Sequence, residues 1–124
     1  MVKRILIVSI LVLVFVSCKK NNLAVMDFDE TEHDFGTIKE GQTVENQFKF
    51  TNSGKSDLII TNAQASCGCT VAEYPKDAVK PNQEGIIKVK FSSEGKHGKQ
   101  EKSITISANT ENRKEMLKIY ADIK

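Results

Sequence analysis

Cys67 and Cys69 stand one residue apart in a chain of 124 residues that holds only one other cysteine, Cys18. Three kinds of chemistry suit that spacing. The pair can close on itself as a disulfide, which needs Cα atoms about 4.4–6.8 Å apart. Two extended residues span about 6.6–7 Å, so the chain must bend at Gly68, where glycine permits it. Such a bridge closes a tiny ring, constrains the unfolded chain little and is open to reduction. Alternatively, both thiolates can clamp a soft cation, Cu(I) or Zn(II), although zinc sites normally recruit four ligands at wider cysteine spacing. In the third reading the cysteines pack as small buried side chains beside Thr70.

Other reactive groups are sparse. His33 and His97 are the only histidines, and His97 lies in Gly95-Lys96-His97-Gly98, which reads as a hairpin tip. Met26 and Met116 read as packing residues rather than thioethers on copper. No histidine is near in sequence to activate a thiol. A phosphate loop, HExxH and GxSxG are all absent. Asp27, Asp29, Glu30 and Glu32 lack the spacing of a calcium loop; they read as the solvated face of an edge strand. No catalytic residue is assigned and no cofactor is expected, with Cu(I) on Cys67 and Cys69 as the alternative.

The amino terminus carries an address. Lys3 and Arg4 precede an apolar run from Ile5 to Val16 broken only by Ser9. That run is shorter than the roughly 20 residues a membrane span needs and matches the core of a secretory signal, so residues 1–17 read as a signal peptide. Ser17-Cys18 resembles the processing site of a bacterial lipoprotein, although Phe15 stands where such signals usually carry leucine. The resemblance implies lipidation of Cys18, a tether over residues 18–23 and a folded domain over 24–124. It also implies placement: Lys19, Lys20, Asn21 and Asn22 follow the cysteine in place of acidic residues, which favours the outer membrane with the domain facing the periplasm. Lys3 and Arg4 account for the whole formal charge of +2, since the other 16 basic residues match 16 acidic ones. A neutral mature chain offers no electrostatic case for nucleic acid.

From residue 24 onward the pattern has period two. Val44, Phe48 and Phe50 alternate with Glu45, Gln47 and Lys49; Ile87, Val89 and Phe91 with Lys88 and Lys90; Ile104, Ile106 and Ala108 with Thr105 and Ser107; Leu117, Ile119, Ala121 and Ile123 with Lys118, Tyr120 and Asp122. Each is a half-buried strand with one wet face. Turn signals at 39–41, 52–54, 81–85, 95–98 and 109–112 separate them. The spacing predicts strands over about 24–30, 34–38, 43–52, 57–64, 69–73, 85–92, 101–108 and 115–123, hence an all-β sandwich or barrel. In Asp34-Phe35-Gly36, Phe35 reads as a structural plug at one end of the sandwich.

Asp34-Phe35-Gly36 with Gly41, Phe50-Thr51-Asn52 with Gly54, Ser66-Cys67-Gly68-Cys69-Thr70, Tyr74-Pro75, Pro81 with Gly85, and the Gly95/Gly98 hairpin together carry a resemblance. From Phe28 to about Ile119 the chain resembles the bacterial family called domain of unknown function 1573, related to Hydin-type and sperm-protein-type modules. The resemblance implies an immunoglobulin-like antiparallel β-sandwich of about seven to eight strands, and no established activity. Function has to come from the site. The favoured expectation is a non-enzymatic envelope lipoprotein that binds another envelope protein and touches the membrane only through its lipid. Sheet edges accept partner strands, and the first strand near Val25 to Asp29 or the last near Leu117 to Ile123 is expected to serve. The alternative is a thiol-dependent protein that binds Cu(I) or exchanges disulfides through Cys67 and Cys69.

Overall fold

A computed structural model describes residues 22–124; residues 1–17, read above as a signal peptide, and Cys18 lie outside the described residues. Eight strands follow in order: β1 (Met26–Phe28), β2 (Glu32–Ile38), β3 (Thr43–Asn52), β4 (Ile60–Ala65), β5 (Thr70–Glu73), β6 (Glu84–Ser92), β7 (Gly98–Ala108) and β8 (Lys114–Ile123). They form two four-stranded sheets, β1-β3-β6-β5 and β2-β8-β7-β4. The architecture is the expected immunoglobulin-like sandwich.

Alternation built both inner faces. Phe48 and Phe50 from β3, Ile87, Val89 and Phe91 from β6, Ile104 and Ile106 from β7, and Leu117 and Ile119 from β8 are all buried. Gly85 lies directly across the ladder from Phe50, and a Cβ there would stand 2.3 Å from the Phe50 ring, so the small residue makes room for the large one. The turn into β6 uses Pro81 at its second position and Asn82 at φ 67, closed by Gln83 N donating to Lys80 O at 3.0 Å; this is the pattern of a type II turn.

Two features depart from the sequence reading. β2 runs parallel to β8, with Glu32 opposite Lys118 and Ile38 opposite Ile123, so the second sheet is mixed. The chain crosses from one sheet to the other at residues 29–31 and continues in the same direction, which brings β2 to β8 as a parallel neighbour. In consequence β8 lies between β2 and β7 and has no free edge, so the last strand cannot accept a partner strand. The open edges belong to β1, β2, β4 and β5.

The sandwich has two distinguishable ends. At one, residues 22–25 meet the loops 53–57, 79–83 and 109–113, through Ala24 beside Thr110, Ser53 N bonded to Val25 O and Lys55 N bonded to Leu23 O. At the other lie the turns 39–42, 66–69 and 93–97. The nine residue steps of β3 from Asn52 to Thr43 put these ends roughly 30 Å apart.

Candidate functional site

Cys67 and Cys69 sit in the short connection between β4 and β5, joined by a disulfide with Cα atoms 5.3 Å apart. Their backbone is held from both sheets: Ser66 N donates to Ser103 O at 2.9 Å, and Ser92 N donates to Cys69 O at 2.9 Å. The loop therefore links the edge strand of one sheet to the edge strand of the other. Both cysteines are half-buried, while Gly68 between them is exposed. Gly68 does not adopt a left-handed conformation, and a Cβ on it would meet nothing within 4 Å. The bend that closes the ring thus uses ordinary backbone angles, and the conformational freedom of glycine expected there is not required.

Thr70, the first residue of β5, is buried, and its Oγ1 lies 3.6 Å from Cys67 Sγ and 3.8 Å from Cys69 Sγ. A disulfide sulfur carries no proton, so the hydroxyl is the donor in both contacts. One buried O–H thus faces both sulfurs. Sequence alternation did not signal this: Val71, the most apolar residue of β5, is 55% exposed, and Thr70 is the residue turned inward.

The other residues with ligand chemistry are scattered. His33, on β2, stacks edge-on against Phe35 with ring centroids 4.6 Å apart. His97 is exposed in the β6–β7 turn, where its carbonyl accepts Gln100 Nε2 at 2.9 Å. Met26 is in the core, whereas Met116 is 55% exposed on the outer face of β8, so packing was the wrong expectation for Met116. Among the described residues no three His, Cys, Asp or Glu side chains gather as a metal site. A cleft of about 610 Å³ is at the opposite end, lined by Leu23, Thr61, Asn109, Thr110 and Arg113.

Several motif residues shape the turns around the site. Phe35 is half-buried against the core, and Gly36 adopts φ 70 with its N–H on Asp34 Oδ1 at 2.8 Å, at the point where the β2–β8 register shifts. Gly41 adopts φ 81 in the 39–42 turn. That turn is locked by Ser93, whose buried hydroxyl donates to Lys39 O at 2.6 Å and accepts Gln42 N at 2.8 Å. Nothing in the sequence pattern marks Ser93 for this work. At the far end Asn52, fully buried, donates from Nδ2 to Ser56 O and Val79 O, both at 2.8 Å, and accepts Gly54 N at 3.0 Å and Val25 N at 3.3 Å on Oδ1.

Charged groups serve the outer faces. Glu101 lies 3.3 Å from Lys118 and holds its ammonium above the usual lysine range. Desolvation and the neighbouring Glu32 carboxylate, which accepts the Tyr120 hydroxyl at 3.2 Å, raise Tyr120. Glu115 is raised by burial; Thr110 opposes this, although among the described residues Thr110 Oγ1 has no partner in full hydrogen-bond geometry.

The family model for a protein of unknown function, DUF1573, matches residues 26–123. The chain belongs to this family. None of the curated proteins compared with it matches. Among solved structures, the chain is similar to a protein of unknown function from Porphyromonas gingivalis W83 (TM-score 0.72, 18% identity, covering 87% of this chain and 50% of that one). This DUF1573 chain therefore spans about half the length of that relative. It is also similar to the ASH/PapD-like domain 7 of human CEP192 (TM-score 0.65, 8% identity, 80% and 84% covered) and to the YadV chaperone (TM-score 0.56, 14% identity, 82% and 52% covered). At these identities the likeness is one of fold.

Proposed function

We propose that this DUF1573 chain is a lipid-tethered interaction module of the cell envelope, and that it captures an envelope protein by strand addition to β4. The observation that carries the reading is the open edge of β4 at Ala63 and Ala65; only the start of the strand is blunted, by a register shift between Ile60 and Asn62 and by the Tyr74 hydroxyl, which donates to Thr61 O at 3.0 Å. Natural sheets blunt their edges with charges, proline, bulges or short strands. Here β1 has three residues, β2 carries Glu32 and Asp34 with a register shift, and β5 has four residues that end on Glu73, with Pro75 two positions on. β4 runs for six residues, ITNAQA, without a charge or a proline. In its antiparallel ladder Ser66 is bonded to Ser103, so by alternation Asn62 and Gln64 face β7 while the N–H and C=O of Ala63 and Ala65 point outward. Main-chain groups presented in this way are what a partner strand pairs with. The five residue steps from Cys18 to Leu23 reach at most about 18 Å, which keeps the end with loops 53–57 and 109–113 beside the membrane and the disulfide end away from it.

The test uses the full chain expressed in cells with a photo-crosslinking side chain at Gln64. A discrete crosslinked envelope protein is expected, lost with Ala63→Pro while the circular dichroism spectrum is kept. Crosslinks unchanged by Ala63→Pro would sink the reading. Mass spectrometry of the N-terminal peptide checks acylation of Cys18, which Cys18→Ser abolishes.

A second reading, disulfide exchange, is favoured by the closed Cys67–Cys69 bridge with the Thr70 hydroxyl against both sulfurs. Cu(I) would need both thiols reduced, and among the described residues no His, Cys, Asp or Glu gathers beside them as a third ligand.

A further inference from the structure

We infer that Cys67–Cys69 is a disulfide donor to extended polypeptides carrying two thiols, with Thr70 as its positioning residue. This rests on the disulfide-exchange reading and adds to it a substrate class and a residue role. Three observations lead there. The first is that the bridge does little for the fold. In the loop-closure account, a cross-link restricts the unfolded chain less the shorter the loop it closes, and this one spans a single intervening residue. The two cysteines are moreover already positioned by Ser66 and Ser92, whose backbone bonds do not need the sulfurs.

The second observation is the hydroxyl. When an incoming thiolate attacks one sulfur, the other departs carrying the bond's electron pair as a thiolate, and exchange speeds up as that leaving thiolate is stabilised. Thr70 Oγ1 is nearly equidistant from both sulfurs, at 3.6 and 3.8 Å, so whichever sulfur leaves finds the same donor. Because Thr70 is 5% exposed, water does not compete strongly for that proton. Donation to a charged acceptor is worth more than donation to a neutral one, so the contact strengthens as the bond breaks.

The third observation selects a polypeptide over a small thiol. β4 runs straight into the Cys67-Gly68-Cys69 loop, and its outward groups at Ala63 and Ala65 end only two residues before Cys67. A strand paired with that edge brings its own side chains alongside the bridge. The electron count then closes without another reagent. The first substrate thiolate forms a mixed disulfide with one cysteine and frees the other. The second substrate thiolate attacks the substrate sulfur of that mixed disulfide, forms the substrate's own bridge and releases the second cysteine. Two electrons and the two thiol protons pass from substrate to Cys67 and Cys69.

The experiment takes the oxidised full chain in detergent, mixes it with a short reduced peptide of Thr and Val carrying two cysteines, and weighs both partners under single-turnover conditions. The expected result is a peptide lighter by two hydrogens and a protein heavier by two. Thr70→Val should slow the transfer about tenfold, the equivalent of one hydrogen bond to a charged group. It should also raise the pH midpoint for alkylation of the reduced pair, and Thr70→Ser should restore both. Ala63→Pro should slow the peptide but leave opening by 2-mercaptoethanol unchanged. If 2-mercaptoethanol opens the bridge while the peptide stays reduced, the polypeptide substrate is overturned and disulfide exchange stands. A bridge that resists both until the protein unfolds overturns the inference together with the reading beneath it. Unchanged rate and midpoint in a folded Thr70→Val protein remove the role of Thr70.

Discussion

Replacing Asn52 by alanine is expected to loosen the end of the sandwich where residues 22–25 meet the loops 53–57 and 79–83. The side chain makes four hydrogen bonds, two donated to Ser56 O and Val79 O and two accepted from Gly54 N and Val25 N. Val79 O keeps a second donor in Leu58 N, so its loss is partly covered. The other three main-chain groups are left to whatever water can reach them. Net values of about 0.5–1.5 kcal/mol per bond put the cost at about 3 kcal/mol, and for a domain of this size that lowers the melting temperature by about 15 °C. Thermal and urea melts followed by circular dichroism would measure it, with exposed Asn62→Ala as a control expected within about 0.5 kcal/mol of the parent. Asn52→Asp sharpens the reasoning: it keeps an acceptor for Gly54 and Val25 but turns an oxygen toward Ser56 O and Val79 O, so it should be at least as damaging as alanine. A loss below about 1 kcal/mol for Asn52→Ala would refute the view that this residue ties the three segments together.

Gly85→Ala drives a methyl group into the Phe50 ring and is expected to cost about 1–3 kcal/mol in urea unfolding, whereas Gly68→Ala, with open space and ordinary backbone angles, should change stability by less than about 0.5 kcal/mol. Cys67→Ser with Cys69→Ser should lower stability by no more than about 1.5 kcal/mol, because the ring is so short; an unfolded double variant would show that the bridge is a staple after all. Burial raises Glu115 above its ordinary carboxylate value, so the folded state holds the proton more tightly than the unfolded one. Stability should therefore fall as pH rises from the ordinary glutamate value through the raised one, and Glu115→Gln should flatten that part of a melting-temperature profile taken upward from about pH 4.

The cysteine pair shows how local and non-local information divide. Its spacing established that the two sulfurs can meet, since their separation along the chain is a covalent fact. That a single buried hydroxyl faces both of them depends on where β5 turns its side chains, and there the structure buries Thr70 and exposes the more apolar Val71. Ser93 and Asn52 were not legible as clamps. A serine in a turn and an asparagine before Ser53-Gly54 look like ordinary solvent-loving turn residues, and their partners lie up to 54 positions away.

By itself the sequence determined a succession of eight strands and, for β3, β6, β7 and β8, which side faces the core. A period-two pattern is a property of each segment alone, and burial of one face follows from it. Only the tertiary structure decided which strand lies beside which. Backbone hydrogen bonds are the same for every residue type, so alternation says which face turns inward but not which neighbour completes the ladder. That is why β8, as apolar in its alternation as an edge strand could be, proved to be interior, why β2 joined it in parallel, and why one of the four open edges fell to β4, the strand that delivers the chain to Cys67.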